Sequence, residues 1–159
     1  MKNFKISLCE WRAEIDVLSG ANCISLKNER YRASILREPP EGGELDNPYL
    51  YGMPILFPVN RIEGGKFEFE GKTSRHYRGQ GKMSLTDVSR GVWMVYENDE
   101  KYGFRLIYNG GEEGYICLEP QTCLANCQNS PFPRSESGFD YIAPRASKTH
   151  NSRIYLEEI

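Results

Sequence analysis

Several short windows of the chain place apolar residues at every second position with polar residues between them. Phe67 and Phe69 alternate with Lys66, Glu68 and Glu70 after the turn Glu63-Gly64-Gly65, and Ile154 and Leu156 alternate with Arg153, Tyr155 and Glu157. A period of two is that of a strand hiding one face. Residues 92–96, 104–108 and 115–118 are short runs rich in aromatic and β-branched residues, separated by 97–103 and by Asn109-Gly110-Gly111. That spacing predicts a meander of hairpins. No window sustains apolar residues at helical spacing, and 15 Gly with 9 Pro punctuate almost every interval. The predicted class is all-β, an antiparallel β-sandwich or part of one. Residues 37–48 and 128–138, rich in Pro, Gly and polar side chains, are expected to cross the surface as loops.

At 159 residues the chain has the length of one ordinary domain, and a single β-sandwich over 1–159 is the expectation. Ten Tyr, seven Phe and two Trp supply bulky core material within a composition that is 39% hydrophobic. Lys and Arg number 20 against 22 Asp and Glu, with no basic block, so the chain offers no phosphate track and nucleic acid is not an expected partner. No apolar stretch has the length of a membrane span, and the first ten residues lack the apolar core of a secretion signal. A cytoplasmic protein with no membrane partner is expected. The five cysteines, Cys9, Cys23, Cys117, Cys123 and Cys127, form an odd set without Cys-x-x-Cys spacing, so they read as reduced thiols and not as a metal site. With no phosphate loop and no dinucleotide fingerprint either, no cofactor is implied.

Two stretches carry chemistry. Residues 113–123, Glu-Gly-Tyr-Ile-Cys-Leu-Glu-Pro-Gln-Thr-Cys, place one carboxylate, Glu119, at the end of an apolar run and before a proline. A carboxylate beside Ile116, Leu118 and Pro120 is partly desolvated, which suits a general base working near neutral pH. Residues 52–71, Gly-Met-Pro-Ile-Leu-Phe-Pro-Val-Asn-Arg-Ile-Glu-Gly-Gly-Lys-Phe-Glu-Phe-Glu-Gly, set Arg61 at the end of a proline-bounded apolar segment, where its five donors can fix hydroxyl oxygens.

Together these stretches resemble the aldose 1-epimerase (galactose mutarotase) family, over residues 20–72 and 78–157. The resemblance implies a large antiparallel β-sandwich with a sugar site on one concave face, and an isomerase that interconverts the α and β anomers of an aldohexose. It implies Glu119 as the base and Arg61 as the sugar-binding arginine. Asn60 is expected to orient Arg61, and Gln121, two residues beyond Glu119, to share its strand face. Family members are longer, with a middle section bearing two histidine motifs that hold the ring oxygen. Here Gly71-Lys72-Thr73-Ser74-Arg75 runs directly into His76, so the sandwich is expected in reduced form and His76 is the candidate for the missing acid. Trp93, Tyr96, Tyr49 and Tyr51 are candidate sugar-stacking aromatics, Trp93 foremost.

Each of these residues also has a plainer reading. Glu119 can be an edge carboxylate in water, Arg61 a salt-bridge partner of Glu63 or Glu68, the aromatics core at strand spacing, and His150 a solvent-facing residue before the last strand. Asp87 has no local support for a role. Two alternatives to an epimerase follow. One is a non-catalytic carbohydrate-binding β-domain that keeps the cleft without the acid. The other is a truncated product that pairs with another copy through unpaired strand edges.

Overall fold

The computed structural model describes residues 3–40, 47, 50–54, 75–78, 81–110 and 114–159, with residues 75–78 described by their backbone. The expected strand around Phe67 and Phe69, most of the loop after Arg37, and Tyr49, Asn60 and Arg61 lie outside the described residues. The chain divides into two compact units, Met1–Pro58 and Val59–Ile159.

The first unit is a four-stranded antiparallel meander of β1 (Asn3–Leu8), β2 (Trp11–Asp16), β3 (Asn22–Asn28) and β4 (Ala33–Ser34), in that spatial order. Leu8 faces Trp11 across the Cys9–Glu10 connection, where Cys9 takes φ 48°. Asp16 closes the next turn by accepting from the Leu18 amide at 3.0 Å and the Ser19 hydroxyl at 2.6 Å, and the Ser19 bond leads in holding its carboxyl below the usual range. A bulge after Glu14 lets Ile15 face Cys23 and keeps the apolar row on one side. Gly52 fixes the way out of this unit: its amide donates to the Arg37 carbonyl at 2.8 Å with φ +72°, and a Cβ there would meet the Cys23 carbonyl oxygen at 2.5 Å. Only glycine fits such a backbone approach.

Among the described residues, the second unit holds two antiparallel sheets of three strands. One has the order β10 (Ser152–Glu158), β7 (Val92–Asn98), β6 (Lys82–Asp87), and the other β5 (Arg75–Arg78), β8 (Phe104–Asn109), β9 (Ile116–Gln121). Among the described residues, its buried apolar side chains are Met83, Val92, Val95, Phe104, Leu106 and Cys127. Arg105 is buried too. Its guanidinium donates to the carbonyls of Tyr102 and Phe104, both at 2.8 Å, and of Gly81 at 3.1 Å, so β8 is tied to the start of β6. Burial lowers the pKa of this guanidinium, and the three carbonyls answer its charge.

The antiparallel all-β class expected from the sequence is what the structure has. The strands expected at 92–96, 104–108, 115–118 and 153–157 are β7, β8, β9 and β10, but the expected meander is only partly there: β8 and β9 form a hairpin, whereas β7 pairs with β6 and β10 in the other sheet. The stretch 128–138 is mostly irregular, with a 3-10 turn at Cys127–Asn129 and a single helical turn, α1, at Arg134–Ser137. No helix among the described residues is long and apolar enough to cross a membrane.

Candidate functional site

The strand that carries Glu119 runs further than its apolar residues suggest. β9 continues from Ile116 through Glu119 and Pro120 to Gln121, each residue paired with β8. A proline inside a strand is tolerated on an edge strand, where its missing N–H costs no ladder bond. Among the described strands β9 is such an edge, being last in the order β5-β8-β9. Glu119 therefore sits mid-strand with a fixed register, opposite Leu106 of β8.

Leu106 is 1% exposed and Glu119 half-buried. On the far side of Leu106, His76 of β5 stands in the same register, so His76, Leu106 and Glu119 form one row across the sheet. Two strand spacings separate the ends of that row, about 10 Å between backbones. Gln121 shares the strand face of Glu119, as two-residue spacing requires, and its Nε2 donates to Glu119 Oε2 at 3.3 Å. That bond gives the carboxylate one set orientation.

The segment after β9 is locked against the sheet. The Leu124 amide donates to the Ser137 carbonyl at 2.9 Å, and Ser137 is 1% exposed. Gly138, at φ +72°, lies so close to this turn that a Cβ would meet the Thr122 carbonyl oxygen at 2.5 Å, Phe104 Cε2 at 2.6 Å and Cys123 Cα at 2.9 Å. Gly138 thus clamps the exit of β9, although in the sequence it reads as one more loop glycine. The Cys123 thiol, desolvated first and then hydrogen-bonded to the Cys127 thiol, is pushed up to about 11 and stays protonated at neutral pH. All five cysteines are free thiols. Among the described residues, no group of three His, Cys, Asp or Glu side chains is placed to hold a metal ion.

Of the expected site residues, the structure brings Glu119, Gln121 and His76 into one sheet. Trp93 stands on β7, in the other sheet of this unit, opposite Thr86 and Glu157, and is 44% exposed. Tyr96 is half-buried on the same strand, and burial leads in pushing its phenol up. Tyr51 belongs to the first unit, with the Arg37 guanidinium 5.0 Å from its ring centroid. His150 is exposed, its ring edge-on to Tyr102 at 5.5 Å. Asp87 caps the β6–β7 turn by bonding Ser89 and Arg90, a structural duty.

No family model matches the chain. Among solved structures, it is similar to a crystal structure of a galactose mutarotase-like protein from Clostridium acetobutylicum, with a TM-score of 0.77 over 98% of this chain and 95% of the other. Sequence identity in that match is 16%. The shortening that the sequence resemblance implies is not something this match shows. What the likeness shows is the fold, and the chain has the all-β fold of a mutarotase-like protein.

Proposed function

We propose that the chain is an aldose 1-epimerase-type isomerase with Glu119 as its general base. In that reaction Glu119 takes the proton from the C1 hydroxyl of the sugar while an acid delivers a proton to the ring oxygen. The C1–O5 bond breaks, the open-chain aldehyde turns about C1–C2, and the steps reverse to close the other anomer. Protons alone move, so no cofactor is required.

The observation that carries the reading is Glu119 itself, half-buried at a fixed register and oriented by Gln121, on a fold shared with a mutarotase-like protein. A carboxylate held in that way is preorganised for proton abstraction. His76, in the same row beyond Leu106, is the residue proposed as acid. Arg61 and Asn60 are proposed to bind the sugar on the strength of their motif. The test is NMR exchange between the anomers of glucose and of galactose with the native chain, Glu119→Gln and His76→Asn. Loss of a positioned acid or base lowers the rate by about two to four powers of ten. Sugar signals broadened by the protein with no exchange above buffer would replace this reading by that of a non-catalytic sugar-binding domain.

A further inference from the structure

Asn109 is the one asparagine of the chain that is followed by glycine. That dipeptide carries a chemistry of its own. The backbone nitrogen of the second residue can attack the side-chain amide carbon of the first, and glycine, with no Cβ, puts least in the way. Two conditions must be met. The nitrogen must lose its proton to solvent base, and it must come close to the asparagine Cγ.

The folded chain refuses both. Asn109 is the last residue of β8 and pairs with Ile116 of β9. An extended residue holds ψ at about +135°, which turns the following nitrogen away from its side chain. The Gly110 amide is also engaged, donating to the Tyr115 carbonyl at 2.9 Å and carrying the ladder one step past β8. Gly110 is buried beneath the Tyr115 ring, whose atoms lie 2.5, 2.6 and 2.7 Å from where a Cβ would stand. The packing that calls for glycine at this position is therefore the same packing that shields its nitrogen. A larger residue would slow the attack but would collide with the ring.

We propose that Asn109 is a spontaneous deamidation site whose rate is set by opening of the β8–β9 pair at Gly110. In the opened segment the Gly110 nitrogen gives its proton to solvent base, bonds to Asn109 Cγ and displaces the side-chain nitrogen as ammonia, leaving a succinimide ring. Water then adds to one ring carbonyl and breaks its bond to the Gly110 nitrogen. Breakage at Cγ gives aspartate, and breakage at the backbone carbonyl gives isoaspartate. In sum one amide and one water become one carboxylate and one ammonium, with no other co-reactant. Isoaspartate lengthens the backbone by one carbon just before Gly110, so the Gly110 amide falls out of step with the Tyr115 carbonyl. The change lands on the pairing that sets the register of β9.

The test is incubation of the full chain at mildly alkaline pH, folded and in unfolding guanidinium, with peptide mapping by mass spectrometry to read each amide that becomes an acid. In the unfolded chain Asn109 is expected to convert first, ahead of Asn129 and Asn151, each of which precedes serine. In the folded chain its conversion is expected to be slower by about tenfold or more, because only the opened fraction reacts. That slowing should match the protection of the Gly110 amide against hydrogen exchange, since one opening frees the nitrogen for both. Tyr115→Ala, which removes the cover, should bring the folded rate toward the unfolded one while the circular dichroism spectrum stays native. The comparison of folded and unfolded native chain decides the matter without that variant if its fold is lost. Equal rates in the folded and unfolded chain, a slowing unrelated to Gly110 protection, an unchanged rate in folded Tyr115→Ala, or first conversion at another asparagine in the unfolded chain would each overturn the proposal.

Discussion

Gly138→Ala tests whether the exit of β9 is clamped as the structure indicates. An alanine at φ +72° adopts a left-handed backbone, which costs a non-glycine residue about 1–2 kcal/mol. The added Cβ would lie 2.5 Å from the Thr122 carbonyl oxygen and 2.9 Å from Cys123 Cα, and both are backbone atoms that cannot swing aside. Forcing an extra carbon into such a site costs about 1–3 kcal/mol more. The sum, about 2–5 kcal/mol, corresponds to a fall in Tm of about 6–15 °C for a chain of this size. Gly91→Ala is the control, because Gly91 has φ +65° in the β6–β7 turn with nothing within 4 Å of a Cβ. It carries the conformational cost alone, about 3–6 °C. Differential scanning calorimetry of the two variants separates strain from collision. Equal Tm losses would refute the close approach of Gly138 to the end of β9.

Gly52→Ala should destabilise the first unit by a similar amount, since its Cβ would meet the Cys23 carbonyl oxygen at 2.5 Å and Ile24 Cα at 3.0 Å; a melting curve matching native would contradict the crossing at Gly52. Asp87 has its carboxyl lowered from 3.8 to about 2, by the Ser89 hydroxyl first and Arg90 second. A depressed carboxylate lends stability above its unfolded value and loses it as pH falls through the folded one. The Tm gap between the native chain and Asp87→Asn should therefore be full at neutral pH and close as pH falls from about 4 to 2, and a gap independent of pH would contradict this. In a timed alkylation at neutral pH read by mass spectrometry, exposed Cys9 should label first and Cys123 and buried Cys127 last. Early labelling of Cys123 would show that its thiol is neither desolvated nor shielded.

The strands legible in the sequence were those whose period of two was bounded by clear turns. Val92–Asn98, Phe104–Asn109 and Ser152–Glu158 follow their aromatic and β-branched residues closely. β9 runs past its apolar residues because pairing with β8 outweighs the poor strand propensity of Glu-Pro-Gln on an edge. The first hairpin was legible in principle: Phe4, Ile6 and Leu8, then Trp11, Ala13 and Ile15, alternate on either side of Cys9–Glu10. What no local pattern reveals is what distant segments do to one another. That Gly138 presses on Thr122, and that buried Arg105 reaches the Gly81 carbonyl, depend on contacts between residues far apart in the chain. For the site, the motif singled out Glu119 and spacing placed Gln121 beside it, whereas the register that aligns His76 with Leu106 and Glu119 depends on a non-consecutive pairing, β5 with β8.

The most direct test of the central claim is anomer exchange of glucose and galactose by NMR, with the native chain and Glu119→Gln at matched concentration. Exchange above buffer is expected for the native chain, with a fall of about two to four powers of ten in the variant. Native exchange that survives Glu119→Gln unchanged would contradict the assignment of Glu119 as the base.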